Sequence, residues 1–143
     1  MNAIVLGTDG SPGAEAAAQK VIELARGSGP VVHLVCAYPT PSTLERIGMT
    51  ARQDTTDLRG VAYDVLARDE RRFSDAGFVV EKHAREGDPA HAIIDVAVEQ
   101  KADLIAVGAR GTTALRRFML GSVSSKLSHH APTSLLIVRQ SDE

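Results

Sequence analysis

Two short glycine-bearing segments toward the C-terminus have the residue types and spacing of an anion cradle. The first reads Gly108-Ala109-Arg110-Gly111, and nine residues, Thr112 to Leu120, separate it from Gly121-Ser122-Val123-Ser124. Glycines at the end of a strand let the backbone turn sharply and approach a ligand, and a Gly-Ser pair opening a helix offers unsatisfied N–H groups and a positive dipole end to a phosphate. The hydroxyls of Ser122 and Ser124 add donors, Arg110 supplies a cation within the turn, and Val107 leads into it. An acidic residue, Asp9, follows the first apolar run in Gly7-Thr8-Asp9-Gly10. The spacing is neither the Gly-Lys-Ser/Thr ending of a Walker loop nor the G-x-G-x-x-G dinucleotide fingerprint. Each residue also has a plainer reading, Gly108 and Gly111 as turn glycines and Asp9 as a turn residue feeding a helix at Ser11-Pro12.

Other chemistries find less support. Of the five histidines, His129 and His130 are adjacent on an expected helix and cannot face one ligand, His33 falls within an expected strand, and His83 and His91 stand apart, so no metal-ligand spacing emerges. They read as structural or surface histidines. Cys36, the single cysteine, reads as a small core hydrophobe and not as a nucleophile. A phosphoacceptor receiver would need an Asp ending the third strand and a Lys after the fifth, where this chain has His83-Ala84-Arg85 and Val138-Arg139-Gln140. Haloacid-type phosphatases need a second Asp two residues after the first, where Ser11 stands. No catalytic residue is assigned: beyond Asp9 no general base is evident, and rapid phosphoryl transfer needs metal, base and cationic clamp together. Binding is therefore expected over turnover, with slow Mg-dependent hydrolysis or autophosphorylation on a cradle serine as the enzymatic alternative.

The elements that must position these residues alternate along the chain. Residues 2 to 8 form an apolar strand; Ser11-Pro12 opens a helix whose Ala14, Ala17, Ala18, Val21, Ile22 and Ala25 recur at helical spacing until Gly27-Ser28-Gly29-Pro30 stops it. A second strand spans Val31 to Ala37 and gives way to a punctuated loop from Tyr38 to about Thr50. A helix from Ala51 to Ala76, weakened at Gly60 by about 1 kcal/mol relative to Ala, ends at Gly77. Phe78 to Ala84 make a third strand, Gly87-Asp88-Pro89 starts a helix to Gln100, Leu104 to Gly108 form the fourth strand, a short helix runs from Gly121-Ser122 to His130, and Ser134 to Arg139 form the fifth. This pattern predicts an α/β fold, a doubly wound five-stranded parallel sheet with four helices. With the order 3-2-1-4-5, the winding reverses between strands one and four, the two that end in glycine, and ligands of such sheets sit at that reversal.

Composition bounds the reading. With 143 residues, 43% hydrophobic, the chain is expected to be one domain, 1–143, able to bury its own core. One cysteine, no basic leader and no run approaching the about 20 apolar residues of a spanning helix point to a cytoplasmic protein without a membrane role. Three Phe, two Tyr and no Trp leave no aromatic platform for single-stranded nucleic acid. Net charge is -2, yet Leu104 to Ser141 contains no Asp or Glu and five bases, Arg110, Arg116, Arg117, Lys126 and Arg139, leaving -7 on the rest. A basic third on an acidic chain suits an anionic partner or a solvated face. The fifth strand, Ser134-Leu135-Leu136-Ile137-Val138, carries no charge before Arg139 and would lie at a sheet edge, a template for a homodimer.

The pattern G-x2-G-x9-G-S resembles the nucleotide-binding signature of the universal stress protein family, in its ATP-binding branch. The likeness covers the whole chain through Ile4-Val5-Leu6-Gly7-Thr8-Asp9-Gly10-Ser11, Gly87-Asp88-Pro89, Ala102-Asp103-Leu104-Ile105 and Leu120-Gly121-Ser122-Val123-Ser124. The resemblance implies a Rossmann-like sheet of the adenine nucleotide alpha hydrolase-like kind, a regulatory stress-response role with an unknown protein partner, and a homodimer through the last strand. It implies ATP as ligand, with AMP and cyclic AMP as alternatives. It assigns Gly7 and Asp9 to the ribose and phosphate region, Asp9 through a nucleotide-bound Mg, and Ala37 to the adenine ring. Val107, Gly108, Arg110 and Gly111, with Gly121, Ser122, Val123 and Ser124, form the implied cradle. One departure lies at Val35-Cys36-Ala37-Tyr38, where many relatives carry a histidine before the small residue.

Overall fold

Strand β1 (Ala3–Gly7) is fully buried, as a central strand covered on both faces must be, and its apolar run needs no alternation. A computed structural model describes residues 1–42, 48, 55–110 and 120–140. After β1 come α1 (Pro12–Ala25), β2 (Val31–Tyr38), α2 (Thr55–Asp75), β3 (Val79–Glu86), α3 (Pro89–Glu99), β4 (Leu104–Gly108), α4 (Ser122–His130) and β5 (Ser134–Val138). All five strands are parallel, in the order β3-β2-β1-β4-β5, as the sequence pattern predicts. Most of the Tyr38 to Thr50 loop and the expected first helical residues, 51–54, lie outside the described residues.

Two cores flank the sheet. On one face Ile4, Leu6, Val32, Leu34 and Cys36 pack with the apolar stripes of α1 and α2, including Ala17, Val21, Leu66 and Phe73. On the other, Val5, Val35, Ile105 and Val107 pack with Ile93, Val96 and Ala97 of α3 and Leu127 of α4. The even residues of β2 thus face α1 and α2, and the odd ones face α3.

Local chemistry sets the boundaries. Ser11 caps α1 by accepting the Ala14 amide at 3.2 Å, and Asp88 caps α3 by accepting the His91 amide at 3.0 Å, each ahead of a proline in the first turn. The third strand begins one residue later than expected because Phe78 is occupied elsewhere. Its amide donates to the Phe73 carbonyl and that of Gly77, at φ 90°, donates to Ser74, a Schellman end sealed by edge-to-face contact of Phe73 and Phe78. At its far end β3 extends to Glu86, two residues beyond expectation, since every residue from Val31 to Tyr38 has a register partner from Val79 to Glu86. The fifth strand ends at Val138, one residue short of the expected Arg139.

Asp103, within the Ala102-to-Ile105 block, joins β4 to the start of β1. One carboxylate oxygen accepts the amides of Asn2 at 2.6 Å and Ala3 at 3.0 Å, and its own amide donates to the Ala3 carbonyl at 2.8 Å. These amide donors, Ala3 before Asn2, outweigh desolvation and hold its carboxyl below the usual carboxylate range. A depressed folded-state value contributes stability above the unfolded value and loses it as pH falls through the folded one. Asp103→Ala is therefore expected to lower stability at neutral pH and to lose less of what remains on acidification, which parallel denaturant titrations at neutral and acidic pH would measure.

Candidate functional site

β1 and β4 are neighbours whose helices leave to opposite faces, α1 from β1 and α4 from β4, so a crevice opens beyond their carboxyl ends. There a cavity of about 410 Å³ is bounded by Gly7, Thr8, Asp9, Ser11, Ala14, Val35, Ala37, Pro89, Ile93, Val107, Gly108, Arg110, Gly121, Ser122, Val123 and Ser124. Ten of the eleven residues singled out from the sequence are on this wall; the eleventh, Gly111, lies outside the described residues, as do Arg116 and Arg117. Thr8, Ser11, Ala14, Val35, Pro89 and Ile93 complete it and were not singled out. Strand alternation from Ala37 points to Val35, and the Asp88 cap points to Pro89, but Ile93 faces the crevice only because α3 crosses over β1 and β2.

The wall divides into two regions. Val35, Ala37, Pro89, Ile93 and Val107 form an apolar slot, and the tips of β1 and β4 with the first turn of α4 form a polar lip. The departure at Cys36 does not reach the slot, because alternation turns its side chain into the opposite core. Burial, aided by the Asp9 and Asp69 carboxylates, pushes the Cys36 thiol up to about 11, which removes any thiolate chemistry at neutral pH.

On the lip, the Ser11 amide donates to Asp9 Oδ1 at 2.9 Å, so the turn role of Asp9 holds together with its place on the cavity. Thr8 directs its hydroxyl to buried Asp69 of α2; burial pushes that carboxyl up, partly offset by Thr8, Arg72 and Arg68. Gly121 is the N-cap of α4 and supplies no side-chain cap, whereas α1 and α3 are closed by Ser11 and Asp88. Ser122 is exposed at the lip. Ser124 is buried on the cavity wall, and its hydroxyl is within donating distance of the carbonyls of Ala109, 2.7 Å, and Gly121, 3.1 Å, so its proton is directed to the protein backbone.

Of the described bases in the basic third, Lys126 is paired with Asp88 at 3.0 Å, and Arg110 lines the cavity. Burial raises the Asp88 carboxyl, but the His91 amide and Lys126 outweigh it and hold it below the usual range. What remains is an apolar slot beside a helix start without a side-chain cap, an arrangement whose chemistry suits a flat apolar group bearing an anionic tail.

The profile described as the universal stress protein family matches residues 1–139. The chain belongs to the universal stress protein family. Universal stress protein Rv1636 of Mycobacterium tuberculosis is 30% identical over 138 residues, covering 94% of each chain. A universal stress protein solved in complex with cAMP superposes with a TM-score of 0.73 at 28% identity, over 96% of both chains. The universal stress family protein At3g01520 of Arabidopsis thaliana, solved with AMP bound, gives 0.72 at 15% identity over 99% of this chain and 94% of that one. Family membership accounts for the block pattern, and the geometry shows what each block does in this universal stress protein.

Gly108 shows this best. A Cβ there would stand 2.6 Å from the Gly13 carbonyl carbon and 2.7 Å from its oxygen, so the glycine is required by a backbone-to-backbone approach and not by a positive φ. Gly108→Ala is expected to cost about 1–3 kcal/mol by overpacking, read as a lower denaturant midpoint at unchanged slope.

Proposed function

We propose that the chain is an adenine-nucleotide-binding regulatory protein, with ATP the favoured ligand and AMP and cyclic AMP the alternatives. The observation that carries this reading is the apolar slot of Val35, Ala37, Pro89 and Ile93 running directly onto the uncapped start of α4 at Gly121 and Ser122. The slot takes the base, the first-turn amides of α4 take phosphate oxygens, and Arg110 adds charge at the tip of β4. The cAMP and AMP complexes of the two solved relatives support the adenine class. ATP is favoured because Asp9, an exposed carboxylate on the lip, suits a Mg2+ bound mainly by phosphates and water. That ion would shield the phosphates; Asp9 would hold it, and Thr8, fastened to Asp69, would fix the turn that presents Asp9. The reading places the protein in the cytoplasm as a sensor whose nucleotide state selects a protein partner. No helix among the described residues is long and apolar enough to cross a membrane.

A homodimer through β5 belongs to the same reading. The two sheet edges differ: β3 carries Glu81, Lys82, Arg85 and Glu86, while β5 reads Ser-Leu-Leu-Ile-Val with Leu135, Leu136 and Ile137 only partly covered. Charge guards one edge against pairing and leaves the other open to it.

Two experiments test these proposals. Denaturing the purified native protein and analysing the released small molecules by mass spectrometry is expected to yield ATP from the wild type and none from Gly121→Val. At a hundredfold excess over Kd, ATP should add about 2.7 kcal/mol of stability. Recovery of AMP or cAMP would change the ligand within the class; no retained ligand and no thermal shift with any adenine nucleotide would reject the binding reading. Ile137→Lys is expected to sediment as a monomer, and an undiminished dimer would reject the β5 interface.

A further inference from the structure

His33 is the one polar side chain in the otherwise apolar inner run of β2, and it is only 3% exposed. A buried polar residue in a strand covered on both faces calls for a partner. The sheet supplies two. Register pairs His33 with Glu81 and Val35 with His83, so His33, Glu81 and His83 lie on one face of the β2–β3 pair. His33 Nδ1 is 3.0 Å from His83 Nε2 and 3.1 Å from Glu81 Oε2, and all three atoms lie within 4.8 Å of one another. The sequence reading of these histidines as unrelated is thereby corrected: parallel pairing brings together residues fifty positions apart in the chain.

We propose that His33, Glu81 and His83 form a binding site for one divalent transition-metal ion of the zinc type, separate from the cavity at the switch point. The hydrogen-bond arithmetic of the cluster motivates it. A proton on His33 Nδ1 can be given well to Glu81 or to His83 but not to both, and the half-exposed carboxylate then turns to water. With that proton absent, His83 Nε2–H can serve Nδ1, but the carboxylate then faces a lone pair. Three electron-pair donors converge and protons satisfy only part of them; one cation satisfies all three.

The dimensions and donor types agree. Metal bonds of about 2.0–2.2 Å in a tetrahedron set ligand atoms roughly 3.4 Å apart, so the 3.0 and 3.1 Å edges need only a slight opening. Glu81, with a side chain 55% exposed on the edge strand, has room to make that adjustment and leaves the fourth position to water. Two imidazoles and a carboxylate select zinc or a neighbouring transition ion over Mg2+ or Ca2+, which prefer all-oxygen shells.

The surroundings keep the donors available. Burial lowers the proton affinity of His33 against the opposing pull of Glu81, and burial, His33 and Arg85 lower that of His83. Arg85, a cation on that face, is engaged by both oxygens of Glu99 of α3 at 3.0 and 2.9 Å. Lys82 turns to the opposite layer, where it pairs with Glu70 of α2.

The test uses the whole chain, free of purification tags and stripped with a chelator. Calorimetric titration with Zn2+ is expected to show one ion bound per chain, and Co2+ should give a tetrahedral visible spectrum that Zn2+ abolishes. His83→Gln and Glu81→Gln, on the open side of the cluster and therefore compatible with folding, should each weaken Zn2+ binding by at least the roughly 10–100-fold that loss of an outer-shell partner costs. His91→Gln and the double variant His129→Gln/His130→Gln should leave it unchanged. Absence of Zn2+ binding by the wild type, or wild-type affinity in a folded His83→Gln protein, would overturn the site. Because no nucleotide is present, failure here would leave the cavity reading standing, and failure of the cavity reading would leave this one standing.

Discussion

The contact between Gly13 and Gly108 governs how the switch point is built. Gly108 ends β4, Gly13 lies in the first turn of α1, and the space between their backbones is too small for a Cβ on Gly108. This approach brings the start of α1, with its Ser11 cap and the preceding Asp9 turn, against the tip of the strand on the far side of the winding reversal. The next residue continues the construction. The Ala109 amide donates to Val138 at 2.8 Å, and its carbonyl receives the Gly121 amide at 2.7 Å and the Ser124 hydroxyl at 2.7 Å. One residue, through the peptide groups on either side of it, therefore fastens β5, the exit of β4 and the entry of α4. The two flanks of the segment from Arg110 to Leu120 are thus tied together through Ala109 and Gly121.

This explains what was legible beforehand. Strand and helix alternation, the proline-and-cap starts at Ser11-Pro12 and Asp88-Pro89, and the glycine-ended first and fourth strands are local signals. A parallel sheet converts local order into topology because its connections permit few alternatives. The same reversal puts the Asp9 turn near the Gly121 turn, and with the family resemblance this points to eleven residues, ten of which line the cavity. What escaped notice depends on lateral register and on how a helix crosses the sheet. Ile93 is an ordinary core position by periodicity, and its place on the cavity is set by the path of α3. His33 and His83 occupy unremarkable positions in two separate strands until Val31 is paired with Val79. The type of Ser124 and its nearness to Gly121 point to a hydroxyl donor at the cradle; burial directs that hydroxyl to the Ala109 carbonyl while the residue still borders the cavity. Residue type reveals donor capacity, but burial decides which partner receives it.

β2 shows how alternation separates chemistries along one strand. Cys36 enters the α1–α2 core, where desolvation keeps its thiol protonated. Val35 and Ala37, its neighbours, turn to the opposite face and floor the apolar slot. His33 shares that face but lies two residues before Val35, away from the switch point and beside the edge strand. A one-residue slip of β2 would bring Cys36 into the slot and His33 into the aliphatic core, so register is fixed by the cost of misplaced polar atoms as much as by apolar packing.

Electrostatics at the carboxyl end of the sheet are set by how the three helix starts are closed. α1, α3 and α4 all begin at the cavity wall, through Ser11, Pro89 and Gly121, and each contributes a partial positive charge of about half a unit. Ser11 and Asp88 each accept an amide from within their own helix, so those ends are partly neutralised, more so at α3 where a carboxylate does the capping. Lys126, which might have raised the potential beside α4, is drawn to that same carboxylate. At α4 the cap is glycine, which has no side-chain oxygen to give. Among the described residues, the choice of cap residue thus leaves α4 as the helix start at this wall without a side-chain cap. With Asp9 also on the wall, the anion-favouring part of the crevice lies along Arg110, Gly121 and Ser122, next to the apolar slot, and the nucleotide proposed above would accordingly sit ring inward with its charge on the lip.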